Sequence, residues 1–237
     1  MIRLASLLAA SLVLVAACAP VGPTTAPAPA ALPQPQADRI DLQTATRNFA
    51  AVVRRVEPVA ESYCRQRQPT FNCDFLIVVD DRPGVPANAF QTLDRNGRPV
   101  IGFTLALIAD TRNQDEIAFV MSHEAAHHIE GHLARQRQAA TVGATVLGQL
   151  ATTLGDSGAS VRTAQQLGAA VGARTFSKEF ELEADALGTV ITARAGYDPL
   201  RGAAFFSRIP DPGDRFLGTH PPNAERMATV QRVAAGL

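Results

Sequence analysis

"NQDEIAFVMSHEAAHHIEGH", Asn113 to His132, is the stretch whose reading decides the fold. It opens as a capping box, with Asn113 as the cap and Glu116 three residues on. Ile117, Val120, Met121, Ala125 and Ile129 then recur at helical spacing, which predicts a helix from Asn113 to about Arg137. The chain has five histidines, and four of them fall between Met121 and His132.

"HEAAH", His123 to His127, puts two imidazoles four residues apart. On a helix they lie about 40° apart around the axis and about 6 Å apart along it. Two rings so placed can converge on one tetrahedral metal. Glu124 is turned about 100° from His123. That is too far to complete the pair but near enough to reach a water held by the metal. With five His and nine Glu in 237 residues, random placement gives about 0.004 matches to this pattern. A solvated histidine-rich helix face has the same spacing, and the motif alone does not separate the two. His128 reads as a helix-surface or cleft-wall residue, and His132 as a structural hydrogen-bonding group.

A metal needs a third protein ligand. The extended pattern with a third histidine is absent, because Glu130 and Leu133 stand where it needs Gly and His. "ELEAD", Glu181 to Asp185, offers Glu and Asp four residues apart on a later helix, "SKEFELEADALGTVITARA", which ends at Gly196. One face would then present a ligand and a carboxylate to accept an imidazole N–H, which fixes ring angle and tautomer. A solvated acidic face has the same pattern. Glu179 and Glu183, on either side of Glu181, are expected to face solvent.

Upstream, a helix is predicted from Leu42 to about Arg65, with Pro58 as a point of kinking or splitting. "FLIVVD" (Phe75 to Asp80) reads as a buried strand. "NAFQTL" and "PVIGFTLAL" flank "DRNG", whose Asn-Gly pair signals a hairpin, so residues 75–107 read as a small sheet. Residues 139–173 are rich in Ala, Gly, Thr and Leu. They are too interrupted for a membrane span, and a helical hairpin or a lid is expected.

The first residues, "MIRLASLLAASLVLVAAC", carry one Arg and then a short apolar run, as a secretory signal peptide does. "VAAC" resembles a bacterial lipobox, which implies cleavage before Cys18 and a lipid on its sulfur. Residues 19–37 hold six of the sixteen prolines and no charge, as an extended tether would. The expected division is therefore 1–17 signal peptide, 18–37 anchor and tether, and 38–237 folded domain. Setting Cys18 aside leaves Cys64 and Cys73, an even pair expected to form a disulfide outside the cytoplasm. The composition is 46% hydrophobic and 19% charged with zero net charge. This fits one globular core and excludes a basic nucleic-acid face.

Taken together, "HEAAHHIEGH", "SKEFELEADALG", "ARAGYDP" and "THPPNAER", with "NAF" at Asn88 to Phe90, resemble the HtpX and CaaX-protease family of gluzincin zinc peptidases. The motifs come in that family's order over roughly residues 85–226. The lipobox makes the chain look most like the periplasmic lipoprotein branch. The resemblance implies an α+β, mainly α-helical gluzincin-like domain, with a small β-sheet packed on the active-site helix. It implies one Zn²⁺ per chain, held by His123, His127 and Glu181, with Glu124 as general base and Asp185 behind the ligands. It further implies that His220 reaches the active site near the metal, with Arg226 six residues after it. Asn88 would border a substrate cleft where an extended peptide adds as a strand. The implied activity is zinc-dependent endopeptidase action on misfolded or misassembled envelope proteins. The implied location is the bacterial periplasm, lipid-anchored, at the outer membrane, with envelope assembly machinery as a possible partner. The rival is a latent or chaperone-like assembly lipoprotein that keeps the zinc.

Overall fold

The computed structural model describes residues 40–175, 177–210 and 221–237, and these belong to one compact unit, Ala37–Leu237. Cys18, His220 and the expected segments 1–17 and 18–37 lie outside the described residues.

Helix α1 (Leu42–Arg67) starts on Asp41, whose carboxylate accepts from the Thr44 N–H at 3.0 Å. It runs through Pro58 without a break. Arg54 and Pro58 both lie on the exposed face, so the carbonyl that proline leaves unpaired is open to water. Phe49, Val52, Val56 and Ala60 form its buried stripe. Cys64 near its end is disulfide-bonded to Cys73, which ties the intervening loop to the start of strand β1 (Leu76–Asp80).

The expected hairpin joins β2 (Ala89–Leu93) to β3 (Pro99–Thr104). Its turn is closed by Asp94, whose carboxylate accepts from the Asn96 and Arg98 N–H groups. The sheet order is β1-β3-β2, with β1 parallel and β2 antiparallel to β3, so β2 is an edge. The sheet ends earlier than expected. Thr104 caps a short helix α2 (Leu105–Asp110), its hydroxyl accepting from the Leu107 N–H.

Helix α3 (Gln114–Ile129) begins as expected, with Asn113 accepting from the Glu116 N–H at 3.0 Å. It does not reach Arg137. Gly131, at φ 68°, takes the left-handed conformation that L side chains resist, and a separate helix α4 (His132–Thr153) starts there. Helix α5 (Ala159–Thr175) packs back along α4. The stretch expected to be a hairpin or lid is thus a helical hairpin, and no described helix is long and apolar enough to cross a membrane.

Helix α6 (Ser177–Arg194) lies against α3, and the turn after it ends on Gly196 at φ 85°. Helix α7 (Pro199–Ala203), a 3₁₀ turn (Ala204–Ser207) and helix α8 (Asn223–Ala234) complete the described chain. The buried face of α3, with Ile117, Met121, Ala125 and Ile129, joins α1, the sheet and α6 in one core. Phe49 meets Phe103 edge-to-face at 5.0 Å. The fold is mainly helical with a small three-stranded sheet, as expected.

Candidate active site

The α3–α6 contact sets the geometry. A Cβ added at Gly188 would stand 3.1 Å from both the Cα and the N of His123, so the two helices meet backbone to backbone there. This close approach sets the acidic face of α6 beside the histidine pair. Gly188→Val is expected to push α6 away at a cost of about 1–3 kcal/mol. Zinc affinity should fall at least about tenfold with it. Chemical denaturation and chelator competition measure the two effects, and unchanged values in both would refute this account of the contact.

The Nε2 atoms of His123 and His127 are 3.0 Å apart. His123 Nε2 is 3.5 Å from Glu181 Oε2, and His127 Nε2 is 3.4 Å from Glu181 Oε1. A tetrahedral zinc with bonds of about 2.0–2.1 Å has ligand-to-ligand edges of about 3.3 Å. The three donors therefore fit one zinc ion, and two imidazoles with one carboxylate leave a fourth position open.

His123 Nδ1 lies 2.9 Å from Asp185 Oδ1, which turns Nε2 toward Glu181. Asp185 is fully buried and accepts two further bonds of 2.7 Å from Arg226, one from Nε and one from Nη2. Burial alone would raise the Asp185 pKa, but Arg226 and His123 outweigh it and hold it low. Arg226 arrives on α8 and lies 3.9 Å from the centroid of the Phe206 ring.

Burial disfavours charge on His123, yet its bonds to Asp185 and Glu181 win and carry its pKa up to about 10. In the metal-free protein the ring therefore holds a second proton at neutral pH. Because this pKa is raised, the stability it contributes is complete below the ordinary value of 6.5 and is lost as pH rises through about 10. Metal must displace the proton. Zinc loading at pH 8 should release about one proton from His123, read by calorimetry in two buffers of different ionisation enthalpy. No release at pH 8 would contradict this.

Glu124 and the three donors line a cleft of about 610 Å³. Its other wall is the β2 edge, with Asn88, Ala89, Phe90 and Gln91. Asn88 stands just before β2, tied through its main chain to Thr104. The structure thus brings Asn88, His123, Glu124, His127, Glu181, Asp185 and Arg226 to one place.

One described histidine departs from the sequence reading. His128 is not on the surface or in the cleft. It is buried between Phe71 and Phe75, with Nε2 2.8 Å from the Asn72 carbonyl. His132 makes a hydrogen bond, as expected, but its partner is His127, Nδ1 to Nδ1 at 2.8 Å. Burial takes the His132 pKa down to about 4 despite its bond to Glu183. Glu183 does not simply face solvent, since it accepts from His132 and Arg135. The break at Gly131 is the signal in the sequence that could have led to this pairing, because it starts a new helix at His132.

Comparison with known proteins gives the same frame. The beta-barrel assembly-enhancing protease of Escherichia coli (strain K12) is 30% identical over 142 residues, which cover 54% of this chain and 29% of that protein. The putative beta-barrel assembly-enhancing protease of Vibrio cholerae is 32% identical over 183 residues, covering 67% of this chain and 37% of that protein. The chain thus spans well under half the length of these relatives. The model of peptidase family M48 matches residues 46–234, a span that holds all seven residues gathered at the cleft, and the chain belongs to that family.

Proposed function

We propose that the chain is a zinc metalloendopeptidase of the bacterial envelope that hydrolyses peptide bonds in misfolded or misassembled envelope proteins. The observation that carries this reading is the gathering of His123, His127 and Glu181, whose imidazole Nε2 atoms are 3.0 Å apart and lie 3.5 and 3.4 Å from the two Glu181 carboxylate oxygens, in a cleft that Glu124 also lines. Bound zinc would lower the pKa of a coordinated water toward roughly 7 and polarise a carbonyl.

The chain's own residues supply the rest. Asp185, clamped by Arg226, holds the His123 tautomer. Glu124 takes a proton from the attacking water and returns it to the leaving amine. The β2 edge pairs with the main chain of an extended substrate, and Asn88 borders that groove. His220 is assigned to stabilising the tetrahedral oxyanion.

The substrate class is supported by the relatives, whose names describe proteases that enhance β-barrel assembly. The same names support a periplasmic location. Lipidation at Cys18 and outer-membrane attachment rest on the lipobox-like "VAAC", and the 19–37 tether on its prolines and lack of charge.

Incubation of the zinc-loaded chain with casein and with an unfolded outer-membrane β-barrel protein tests the activity. New internal N-termini, found by mass spectrometry and absent with chelator, are expected. Intact substrates, or equal cleavage with and without chelator, would sink the reading.

A further inference from the structure

His123 leans on a buried carboxylate, but its fellow ligand His127 does not. His127 Nε2 faces His123 and Glu181, so a metal bound there takes Nε2 and leaves the ring proton on Nδ1. Among the described residues its partner at hydrogen-bond distance is Nδ1 of His132, at 2.8 Å. His132 must therefore accept at Nδ1 and carry its own proton on Nε2. Glu183 Oε2 lies 3.0 Å from that Nε2 and accepts it. Arg135 holds the same carboxylate, with Nη1 2.5 Å from Oε2 and Nη2 3.3 Å from Oε1. Every donor in this chain faces an acceptor, so its direction is set from His127 through His132 to Glu183.

The middle ring is also fixed in place. His132 is 4% exposed and stacks on Phe180, with centroids 4.5 Å apart and planes at 10°. The Arg135 guanidinium lies 4.3 Å from the centroid of the same Phe180 ring. Phe180 precedes the ligand Glu181, so the stack ties the start of α4 to the ligand-bearing turn of α6.

We propose that His132, held by Glu183, is a positioning residue that fixes the tautomer and ring angle of His127. This rests on the reading of His123, His127 and Glu181 as a zinc site. The arm differs in chemistry from the one behind His123, because a neutral imidazole accepts the ligand's proton and the carboxylate stands one residue further back. Outer partners of this kind typically change metal affinity about 10–100-fold when removed.

The test measures zinc affinity by competition with a chromogenic chelator, and the absorption spectrum of the Co²⁺-loaded protein. It compares wild type, His132→Ala, His132→Asn and Glu183→Ala. His132→Ala should weaken zinc binding about 10–100-fold and shift the Co²⁺ bands. His132→Asn offers an amide oxygen near the lost Nδ1 and should recover most of both. A merely structural role would not give this recovery. If His132→Ala does not fold, Glu183→Ala decides, because its side chain is 41% exposed and its loss should still weaken zinc binding. Wild-type affinity and an unchanged spectrum in the folded variants would overturn the proposal alone. Equal losses in the Ala and Asn variants would also overturn it. A wild-type chain that binds no zinc would overturn the zinc-site reading and this proposal together.

Discussion

Glu124→Gln is expected to lower kcat by about 10²–10⁴-fold while leaving zinc content at the wild-type level. Glu124 follows His123 on the same helix and lines the cleft, but is not one of the three gathered donors. Glutamine keeps the size and the polar contacts and loses only the basic oxygen. KM should change little, since the proposed hold on the substrate backbone is the β2 edge. Steady-state kinetics with metal analysis on the same sample measure both quantities. Loss of zinc with loss of activity would move Glu124 from proton transfer to metal binding, and undiminished kcat would remove it from the mechanism.

Arg226→Met is expected to be the most destabilising single change at the site. Arg226 is 7% exposed, and its guanidinium is the fork that pairs with the fully buried Asp185. Methionine would leave a buried carboxylate with His123 as its remaining side-chain partner among the described residues. Breaking a buried pair from one side costs about 3–5 kcal/mol. Zinc affinity should fall with it, because Asp185 orients His123. Arg226→Lys should recover only part of the loss, since an ammonium cannot make the paired contacts of the guanidinium. Denaturant titration of the metal-free proteins, followed by zinc competition, checks both effects. A midpoint equal to wild type would show that the pair carries no stability.

These outcomes depend on residues that differed in how legible they were. The start of α3, the histidine pair and the Asp94 turn were open to local reasoning, because caps, helical spacing and turn chemistry act within a few residues. The joining of Glu181 and Asp185 to that pair was not, since an acidic helix face has many uses. The resemblance to a family supplied the joining, and the closeness of Gly188 to His123 gives its physical basis. Besides that of His128, three readings failed for local or long-range reasons. "TLAL" continued an apolar run, so the cap made by Thr104 was hidden inside a strand pattern. Gly131 ended a helix that the spacing of its neighbours would have continued. Glu183 looked like surface because its partners come from α4, about fifty residues earlier.

The central claim is that His123, His127 and Glu181 form a zinc site that the peptidase activity needs. The most direct measurement removes all metal, titrates zinc back, and follows bound zinc and peptide cleavage together. One zinc per chain should bind and restore activity in proportion, and Glu181→Ala should bind at least about tenfold more weakly under the same titration. Full activity in the metal-free chain, or saturation at a stoichiometry unaffected by Glu181→Ala with unchanged affinity, would contradict the account.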